Sequence, residues 1–246
     1  DTDISPYDSG SYASATTYIT GIAVADACEQ LREKIKKLGA EMLGADIEKV
    51  EFDGKRVYML EGEGEVSLEA IAAKGTSGNN TSLQASATRS SQISPPPFMA
   101  GAVEIEIDKE TGGLEILDYA AVVDCGTPIN PNLARVQTEG GLVQGIGMAL
   151  YEDVQYNEKG QMRNNSFMQY KIPTRMDVKN IRVEFIPSYE KSHPFGAKSI
   201  GEMVINTPCV TIANAVYNGI GVRIREMPIT PEKIAMALAE RSEENE

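Results

Sequence analysis

A predicted helix that carries four glycines limits the possible folds more than any other stretch of the sequence. The segment 133–151 is predicted to be a helix, and it contains Gly140, Gly141, Gly145 and Gly147. Each glycine costs a helix interior about 1 kcal/mol relative to alanine. Four of them need a compensating reason, and close packing against the helix backbone is the one we expect. The sequence therefore predicts a helix that a neighbouring element approaches closely.

Hairpins and helices are mixed along the rest of the chain. Alternating apolar residues and turn signals predict two hairpins and one further strand, with strands at 49–52, 57–60, 101–108, 114–123 and 181–186. Helical spacing predicts four more helices, at 18–38, 67–73, 207–218 and 230–241. Gly39 is expected to end the first of these helices, and Ser67, Thr207 and Thr230 are expected to cap the other three. This mixture indicates the α+β fold class.

The order of elements suggests an internal repeat. A loop, a helix and strands follow one another twice, which predicts two repeat-like units of mixed sheet and helices at about 1–75 and 100–240. The segment 75–97 between them is small, polar and rich in proline at its end, and it is expected to be a long joining loop.

Composition argues against several partners. The 246 residues carry 23 Lys and Arg against 36 Asp and Glu, a net charge of −13. Because phosphate binding needs a basic surface, this balance argues against nucleic acid and against an anionic membrane. No apolar run reaches the roughly 18 residues of a membrane span, and the N-terminus does not resemble a signal peptide.

We therefore expect a cytoplasmic protein. Its sequence begins without Met, which indicates a processed chain or a piece of a longer one. Overlapping glycosylation sequons stand at Asn79 and Asn80, and without a secretory signal neither is expected to be modified.

Cysteine and histidine usage limits the chemistry that the protein itself can provide. Cys28, Cys125 and Cys209 are widely spaced, which suits a reducing compartment. With the single histidine, His193, they form no CxxC, HExxH or Cys/His cluster, which argues against a zinc site, an iron–sulfur cluster and a Ser–His–Asp triad. His193 precedes a proline in a polar loop and is expected to be exposed. Any chemistry must rest on carboxylates, amides and backbone groups, or on a cofactor with its own reactivity.

Three places could carry such chemistry on their residues alone. The Ser/Thr-rich segment 10–17 before a helix could cradle an anion, or it could be an ordinary N-cap. Glu202 could be a poorly solvated general base, or a surface glutamate paired with Lys198. The Gln144 amide could orient a ligand edge, or it could belong to a helix-packing seam of small residues. In each case the residues alone favour the second alternative.

Taken together, several stretches carry a family resemblance. They are DTDISPYDSGSYAS (1–14), EGGLVQGIG (139–147), NSF (165–167) with YKIPT (170–174), PFGAKSIGE (194–202), IANA (212–215) and PITPEKI (228–234). In this order they resemble the molybdenum hydroxylases, the family of xanthine dehydrogenase, aldehyde oxidoreductase and nicotinate dehydrogenase. Each motif is weak alone, but the matches are collinear across nearly the whole chain.

The resemblance implies a fold, a cofactor and a set of site residues. The whole chain, 1–246, would be the C-terminal lobe of an α+β molybdopterin-binding domain. Its cofactor would be molybdopterin with molybdenum, in the cytosine dinucleotide form, with the metal held by the pterin dithiolene and by no protein ligand. Glu202 matches the family's catalytic glutamate, the base that activates the oxygen nucleophile. By similarity the cofactor-binding residues would be Tyr12, Ala13, Ser14, Thr16, Gln144, Lys198 and Gly201.

The resemblance also implies a reaction and partners. The substrate would be an N-heterocycle of purine or nicotinate type, or an aldehyde, hydroxylated with water as the oxygen source. An upstream molybdopterin lobe, in the same subunit or in a separate chain, would complete the site. Iron–sulfur clusters and FAD on partner domains or chains would carry the electrons away, and the isolated chain is expected to be inactive. The alternative is a non-catalytic assembly module or an inactive fragment of such a subunit.

Overall fold

The structure is a computed structural model that describes residues 3, 7–8, 10–77, 83–91 and 93–244. The chain divides into two compact units, one of Ile19–Gln92 and the other of Asp1–Tyr18 with Ile93–Glu246. The sequons at 79–82 lie outside the described residues. The prediction of two repeat-like units stays a prediction. None of the helices in the described ranges is long and apolar enough to cross a membrane.

The unit of Ile19–Gln92 packs two helices against a small antiparallel sheet. Its elements are α1 (Gly21–Leu43), β1 (Val50–Phe52), β2 (Arg56–Met59), β3 (Glu65–Ser67) and α2 (Leu68–Ser77). The strands pair in the order β1-β2-β3, which confirms the predicted hairpin and adds a strand that the sequence did not indicate. The core of this unit is formed by Ile35, Leu38, Ala40, Val50, Val57 and Ile71.

Helix α1 runs past its predicted end, so the expectation that Gly39 stops it is wrong. A Cβ at Gly39 would lie 2.6 Å from the Cβ of Val57, so this glycine serves close packing of α1 on β2. The helix ends instead at Gly44, which has φ 64° and donates its N–H to Glu41 O. The predicted cap of α2 is confirmed, because Ser67 Oγ accepts from Ala70 N at 3.3 Å.

The larger unit combines a mixed sheet with helices. Its elements are β4 (Phe98–Ile107), β5 (Leu114–Asp124), α3 (Pro131–Leu150), β6 (Ile181–Phe185), α4 (Asn206–Ile220) and α5 (Pro231–Glu244). Strands β4 and β5 are antiparallel, as the predicted hairpin requires, and β6 adds to β5 in parallel with Val123 opposite Phe185. The α+β class is confirmed. Fully buried side chains of its core include Ile116, Tyr119, Val123, Leu142, Ile146, Ile212 and Ile234.

The glycines of α3 are explained by close packing, as predicted, with one exception. A Cβ at Gly141 would overlap the side chain of Val204, and one at Gly145 would lie 2.7 Å from Pro208 Cγ. Both positions therefore let the segment 204–208, which leads into α4, approach the backbone of α3. Gly140 differs, because a Cβ there would meet nothing within 4 Å.

The expectation that Thr207 caps α4 is wrong. A 3₁₀ turn, Met203–Ile205, leads directly into the helix, so the chain is already helical when α4 begins at Asn206. The Thr207 hydroxyl instead lies 3.0 Å from the hydroxyl of the buried Tyr119. The predicted cap of α5 is confirmed, since Thr230 Oγ1 accepts from Lys233 N at 3.3 Å.

Candidate functional site

A cavity of about 530 Å³ lies in the larger unit, between α3 and the segment 201–206. Three of the residues singled out from the sequence, Gln144, Gly201 and Glu202, face it together. Its lining consists of Val136, Gln137, Gly140, Gly141, Gln144, Gly201, Glu202, Ile205 and Asn206.

The glycines of α3 shape this cavity in two ways. Gly141 lets Val204 reach the helix backbone, which brings the 3₁₀ turn and the preceding Glu202 against α3. Gly140 makes no such contact, and its missing side chain keeps the wall of the cavity open. Gln144 stands one helical turn after Gly140, on the same face. The sequence offered a packing seam and an exposed amide as alternatives for this helix, and the structure has both, with the Gln144 amide facing the cavity.

Glu202 is bound to Ser14 by two hydrogen bonds. The Ser14 hydroxyl donates to Glu202 Oε2 at 3.1 Å and accepts from the Glu202 N–H at 2.8 Å. The side chain of Glu202 is exposed at the cavity, as expected for the surface glutamate that the residues alone favour over a poorly solvated base. The expected pair of this glutamate with Lys198 is not formed, because the Lys198 ammonium is bound to Asp124.

The loop that carries Ser14 has an unusual backbone. Ala13 and Ser14 adopt φ 50° and 58°, the left-handed region, which costs a non-glycine residue roughly 1–2 kcal/mol. The turn is closed by Ala15 N, which donates to Tyr12 O at 3.1 Å. A turn of π-helix, Thr16–Thr20, follows it. This conformation is what directs the Ser14 hydroxyl to Glu202.

The hydroxyl groups of the predicted anion cradle largely bind protein groups. Ser11 Oγ and Thr16 Oγ1 lie 2.5 Å apart, and the Ser14 hydroxyl is bound to Glu202. Tyr12 is 60% exposed. The alternative of an ordinary N-cap is not realised at α1, since Thr20 makes no side-chain cap. The cradle and the cofactor contacts of Tyr12, Ala13, Ser14 and Thr16 stay predictions.

Lys198 does not line the cavity. Its ammonium lies 2.8 Å from Asp124 Oδ2 at the end of β5 and 5.5 Å from the centre of the Phe98 ring. Burial raises the pKa of Asp124, but hydrogen bonds from Lys198, from the Ser188 hydroxyl and from the Gly126 N–H outweigh this, and the net pKa is lowered. The charge of Lys198 is thus neutralised within the protein, and its contact with a cofactor stays a prediction.

The expectation that His193 is exposed is wrong, because only 2% of its surface is accessible. Its Nδ1 accepts from the Phe195 N–H at 3.2 Å and from the Ala197 N–H at 3.4 Å. In the turn that leads toward Glu202, the imidazole thus accepts hydrogen bonds from backbone N–H groups, a role that carbonyl oxygens usually have. The Tyr18 ring packs against the imidazole, with the two ring centroids 5.6 Å apart. Within the described part of the chain, Nε2 has no hydrogen-bond partner.

Two residues of the site were missed from the sequence. Gln137 Nε2 donates to Gly201 O at 2.8 Å, and Asn206 contributes an amide at the start of α4. Gln137 precedes Gln144 by seven residues, so the two amides share a helix face, and this spacing could have revealed the first. Asn206 has no comparable signal in the sequence.

The lining suits the edge of a neutral heterocycle. Amide side chains offer donors and acceptors together, and Glu202 adds an acceptor. Neither lysine nor arginine is among the described residues of the lining, and no described group of three or more His, Cys, Asp or Glu could hold a metal. The residues therefore fit the hydrogen-bonding edge of a pterin, while this cavity presents no cation to a phosphate.

Comparison with known proteins gives one family and several relatives. A family model described as molybdopterin cofactor-binding domain matches residues 1–179. The chain is 37% identical over 242 residues to a probable hypoxanthine oxidase, XdhD, of Escherichia coli strain K12. The matched region covers 97% of this chain and 25% of that protein.

Solved structures show the same fold. A reconstituted CO dehydrogenase from Oligotropha carboxidovorans superposes with a TM-score of 0.80 at 26% identity, over 99% of this chain and 31% of that one. Quinoline 2-oxidoreductase from Pseudomonas putida 86 gives a TM-score of 0.78 at 30% identity, over 97% and 32% of the two chains. The chain thus spans about a quarter to a third of the length of these three proteins.

Proposed function

The chain belongs to the molybdopterin cofactor-binding domain family, and from that premise we propose that it forms the C-terminal part of the molybdopterin site of a molybdenum hydroxylase. The proposed reaction hydroxylates an N-heterocycle of purine or nicotinate type, or an aldehyde, with water as the oxygen source. Two of the relatives are named for N-heterocycles, hypoxanthine and quinoline, and one for CO. These names support the N-heterocycle as the first substrate class to test.

One observation carries this proposal. Ser14, Gln144 and Glu202 come from segments far apart in the sequence, and they meet at one cavity or at its edge. Each belongs to a different one of the sequence motifs, at 1–14, 139–147 and 194–202. A packing seam alone would not require an exposed amide and an exposed carboxylate side by side.

The cofactor would be held by the loop of Tyr12, Ala13 and Thr16 and by Gln144, in the cytosine dinucleotide form. When bound, molybdopterin supplies a molybdenum centre, ligated by its own dithiolene, that takes up two electrons from the substrate. The Gln144 side chain has no hydrogen-bond partner among the described residues, so its donor and its acceptor are both available to a heterocycle edge.

Glu202 would serve as the general base. Its Oε2 accepts the hydrogen bond from Ser14, which leaves Oε1 as the atom that takes up the proton of the oxygen nucleophile. A carboxylate held at one oxygen keeps the other in a fixed direction, which favours proton transfer along one path. Lys198 is expected to hold the segment that ends in Glu202 in place through its ion pair with Asp124.

The remaining parts of the enzyme would come from elsewhere. An upstream molybdopterin lobe, in the same subunit or in a separate chain, would supply the phosphate contacts that this cavity lacks. Iron–sulfur and flavin domains or subunits would receive the electrons. The isolated chain is then expected to bind little or no molybdopterin and to turn over no substrate. Stoichiometric molybdenum in the purified isolated chain would contradict the expected lack of binding.

The test replaces Glu202 by Gln in the complete complex. Removal of a general base is expected to lower turnover by about 10²–10⁴-fold, with molybdenum content unchanged. Glu158→Gln is the matched control, because Glu158 is an exposed glutamate outside the cavity. Hydroxylation of a purine, a nicotinate and an aldehyde is measured beside molybdenum by elemental analysis. Full turnover by Glu202→Gln would favour the non-catalytic assembly module.

A further inference from the structure

We propose that Ser14 and Gln137 are positioning residues, which hold the peptide between Gly201 and Glu202 so that the carboxylate stands at the cavity. Neither acts as a cofactor ligand in this role. The inference rests on the proposed function, in which Glu202 is the base, and it reassigns Ser14, which the family resemblance places among the cofactor contacts.

Both polar groups of one peptide unit are bound by side chains from distant segments. Gly201 O accepts from Gln137 Nε2 at 2.8 Å, and Glu202 N donates to Ser14 Oγ at 2.8 Å. A peptide unit is planar, so its main freedom is rotation about the line that joins its two Cα atoms. Hydrogen bonds on its opposite edges, one from α3 and one from the N-terminal loop, oppose that rotation.

The Ser14 hydroxyl also fixes the side chain of Glu202. It donates to Oε2 at 3.1 Å while it accepts from the Glu202 N–H. A serine hydroxyl has a single donor hydrogen, and here that hydrogen is directed to the carboxylate. Ser14 therefore has no donor left for a pterin or a phosphate, which is why a positioning role fits its contacts better than a binding role.

The packing around this peptide supports the same conclusion. A Cβ at Gly201 would lie 3.4 Å from Ser14 Oγ, so the loop and the peptide are already in close contact. Ser14 adopts φ 58°, an unfavourable backbone conformation that its hydroxyl needs in order to reach Glu202. Gln137 is exposed, so its side chain adds little to the packing of the core. The hydrogen bonds from Gln137 to Gly201 O and from Glu202 N–H to Ser14 are therefore best explained by the positioning of Glu202.

The conformation of Ser14 allows stability and positioning to be separated. Glycine adopts positive φ without penalty, so Ser14→Gly removes the hydroxyl and relieves the backbone. Asparagine also tolerates this region, and its amide offers an acceptor oxygen and a donor NH₂ group, so Ser14→Asn is the conservative variant. Gln137→Met keeps the length of the side chain and removes the donor. Ser242→Ala and Gln161→Met remove an exposed hydroxyl and an exposed amide that do not line the cavity, and they serve as controls.

All variants are made in the complete complex. Ser14→Gly is expected to lower kcat by about 10–100-fold, with KM changed less than about threefold, because misplacement of a catalytic group acts on the reacting step. Ser14→Asn should recover most of kcat, and Gln137→Met should fall between. Molybdenum content and thermal midpoint should match the parent complex in Ser14→Gly. Hydrogen exchange at the Glu202 amide should be faster in Ser14→Gly than in the controls.

The outcomes separate this inference from the proposed function. Parental kcat together with parental exchange at the Glu202 amide in Ser14→Gly would overturn the positioning role. Loss of molybdenum from Ser14→Gly would overturn it in favour of a cofactor ligand. Full turnover by Glu202→Gln would refute the base and hence the proposed function, while the exchange measurement would still decide whether Ser14 holds the Glu202 peptide.

Discussion

The ammonium of Lys198 lies 2.8 Å from the carboxylate of Asp124, and the two side chains are only 12% and 23% exposed. The backbone of the same residue is also fixed, since Lys198 N donates to Cys125 O at 2.7 Å. The segment that ends in Glu202 is thus fastened to the end of β5 by its main chain and by an ion pair.

Lys198→Met should therefore destabilise the protein. It leaves the carboxylate of Asp124 partly buried without its cation, which we expect to cost about 1–3 kcal/mol, less than for a fully buried pair. Lys179→Met is the control, because Lys179 and Glu115 are about half exposed and their pair contributes roughly 1 kcal/mol or less. Urea unfolding of both variants measures the difference. Equal losses would show that burial of the Lys198 pair does not matter.

Asp124 should also give stability an acid dependence. Its folded-state pKa is lowered from 3.8, so the folded state binds the proton less readily than the unfolded state. The stabilisation is complete above the ordinary pKa and is lost as the pH falls through the lowered value. Thermal midpoints between pH 6 and pH 2.5 should fall less steeply in Asp124→Asn than in the parent. Parallel curves would contradict the prediction.

In the smaller unit, Glu51 should behave in the same direction. The Phe52 N–H, the Arg32 guanidinium and the Lys36 ammonium lower the pKa of Glu51 from 4.5 to about 2. The stability that this carboxylate contributes is present above pH 4.5 and is lost between 4.5 and about 2. Carbon NMR titration of the Glu51 carboxyl measures the midpoint directly. A midpoint near the ordinary value of 4.5 would refute the network of hydrogen bonds.

Two adjacent glycines of α3 should respond oppositely to alanine. Gly141→Ala places a Cβ into Val204 and should destabilise by about 1–3 kcal/mol. Gly140→Ala meets nothing within 4 Å and should stabilise the helix by about 0.5–1 kcal/mol. Chemical denaturation measures the free energy of unfolding of both variants, and each variant serves as the control for the other. Destabilisation by both would mean that the wall of the cavity at Gly140 is filled in the folded protein.

Loss of the His193 ring should destabilise the protein, because the ring closes a turn by accepting two backbone hydrogen bonds. His193→Leu leaves the buried Ala197 N–H and the Phe195 N–H without their acceptor, at a cost of about 1–3 kcal/mol. His193→Asn keeps an acceptor near the position of Nδ1 and should recover part of this. The measured quantity is the free energy of unfolding of each variant. Identical values for Leu and Asn would assign the effect to packing alone.

The fold was predictable where its signals are local. The β4–β5 hairpin and the caps at Ser67 and Thr230 follow from residues that lie within a few positions of one another. Gly39 was misjudged because a glycine in a helix signals a stop equally well as a close approach, and only the position of Val57 decides between them. In α3 the cost of four glycines predicts close packing instead, which the contacts of Gly141 with Val204 and of Gly145 with Pro208 confirm.

Part of the cavity lining was predictable from the sequence, and its arrangement was not. The order of the motifs singles out Gln144, Gly201 and Glu202, and the structure brings these three to one cavity. The burial of His193 could not be predicted from the sequence, because its hydrogen-bond partners are backbone N–H groups of its own turn. Such partners produce no pattern of side chains in the sequence. The link from Ser14 to Glu202 depends on positive φ at a serine, a conformation that no local residue preference foretells.

The unit of Ile19–Gln92 is an insertion in the chain of the other unit, and this sets an order of events during synthesis. Ser14 leaves the ribosome 188 residues before Glu202. At about 5–20 residues per second, the serine loop waits roughly 10–40 s for its partner, while the inserted unit already has all the residues of its own core. The carboxylate of Glu202 is therefore expected to acquire its hydrogen bond from Ser14 only after the inserted unit has been made.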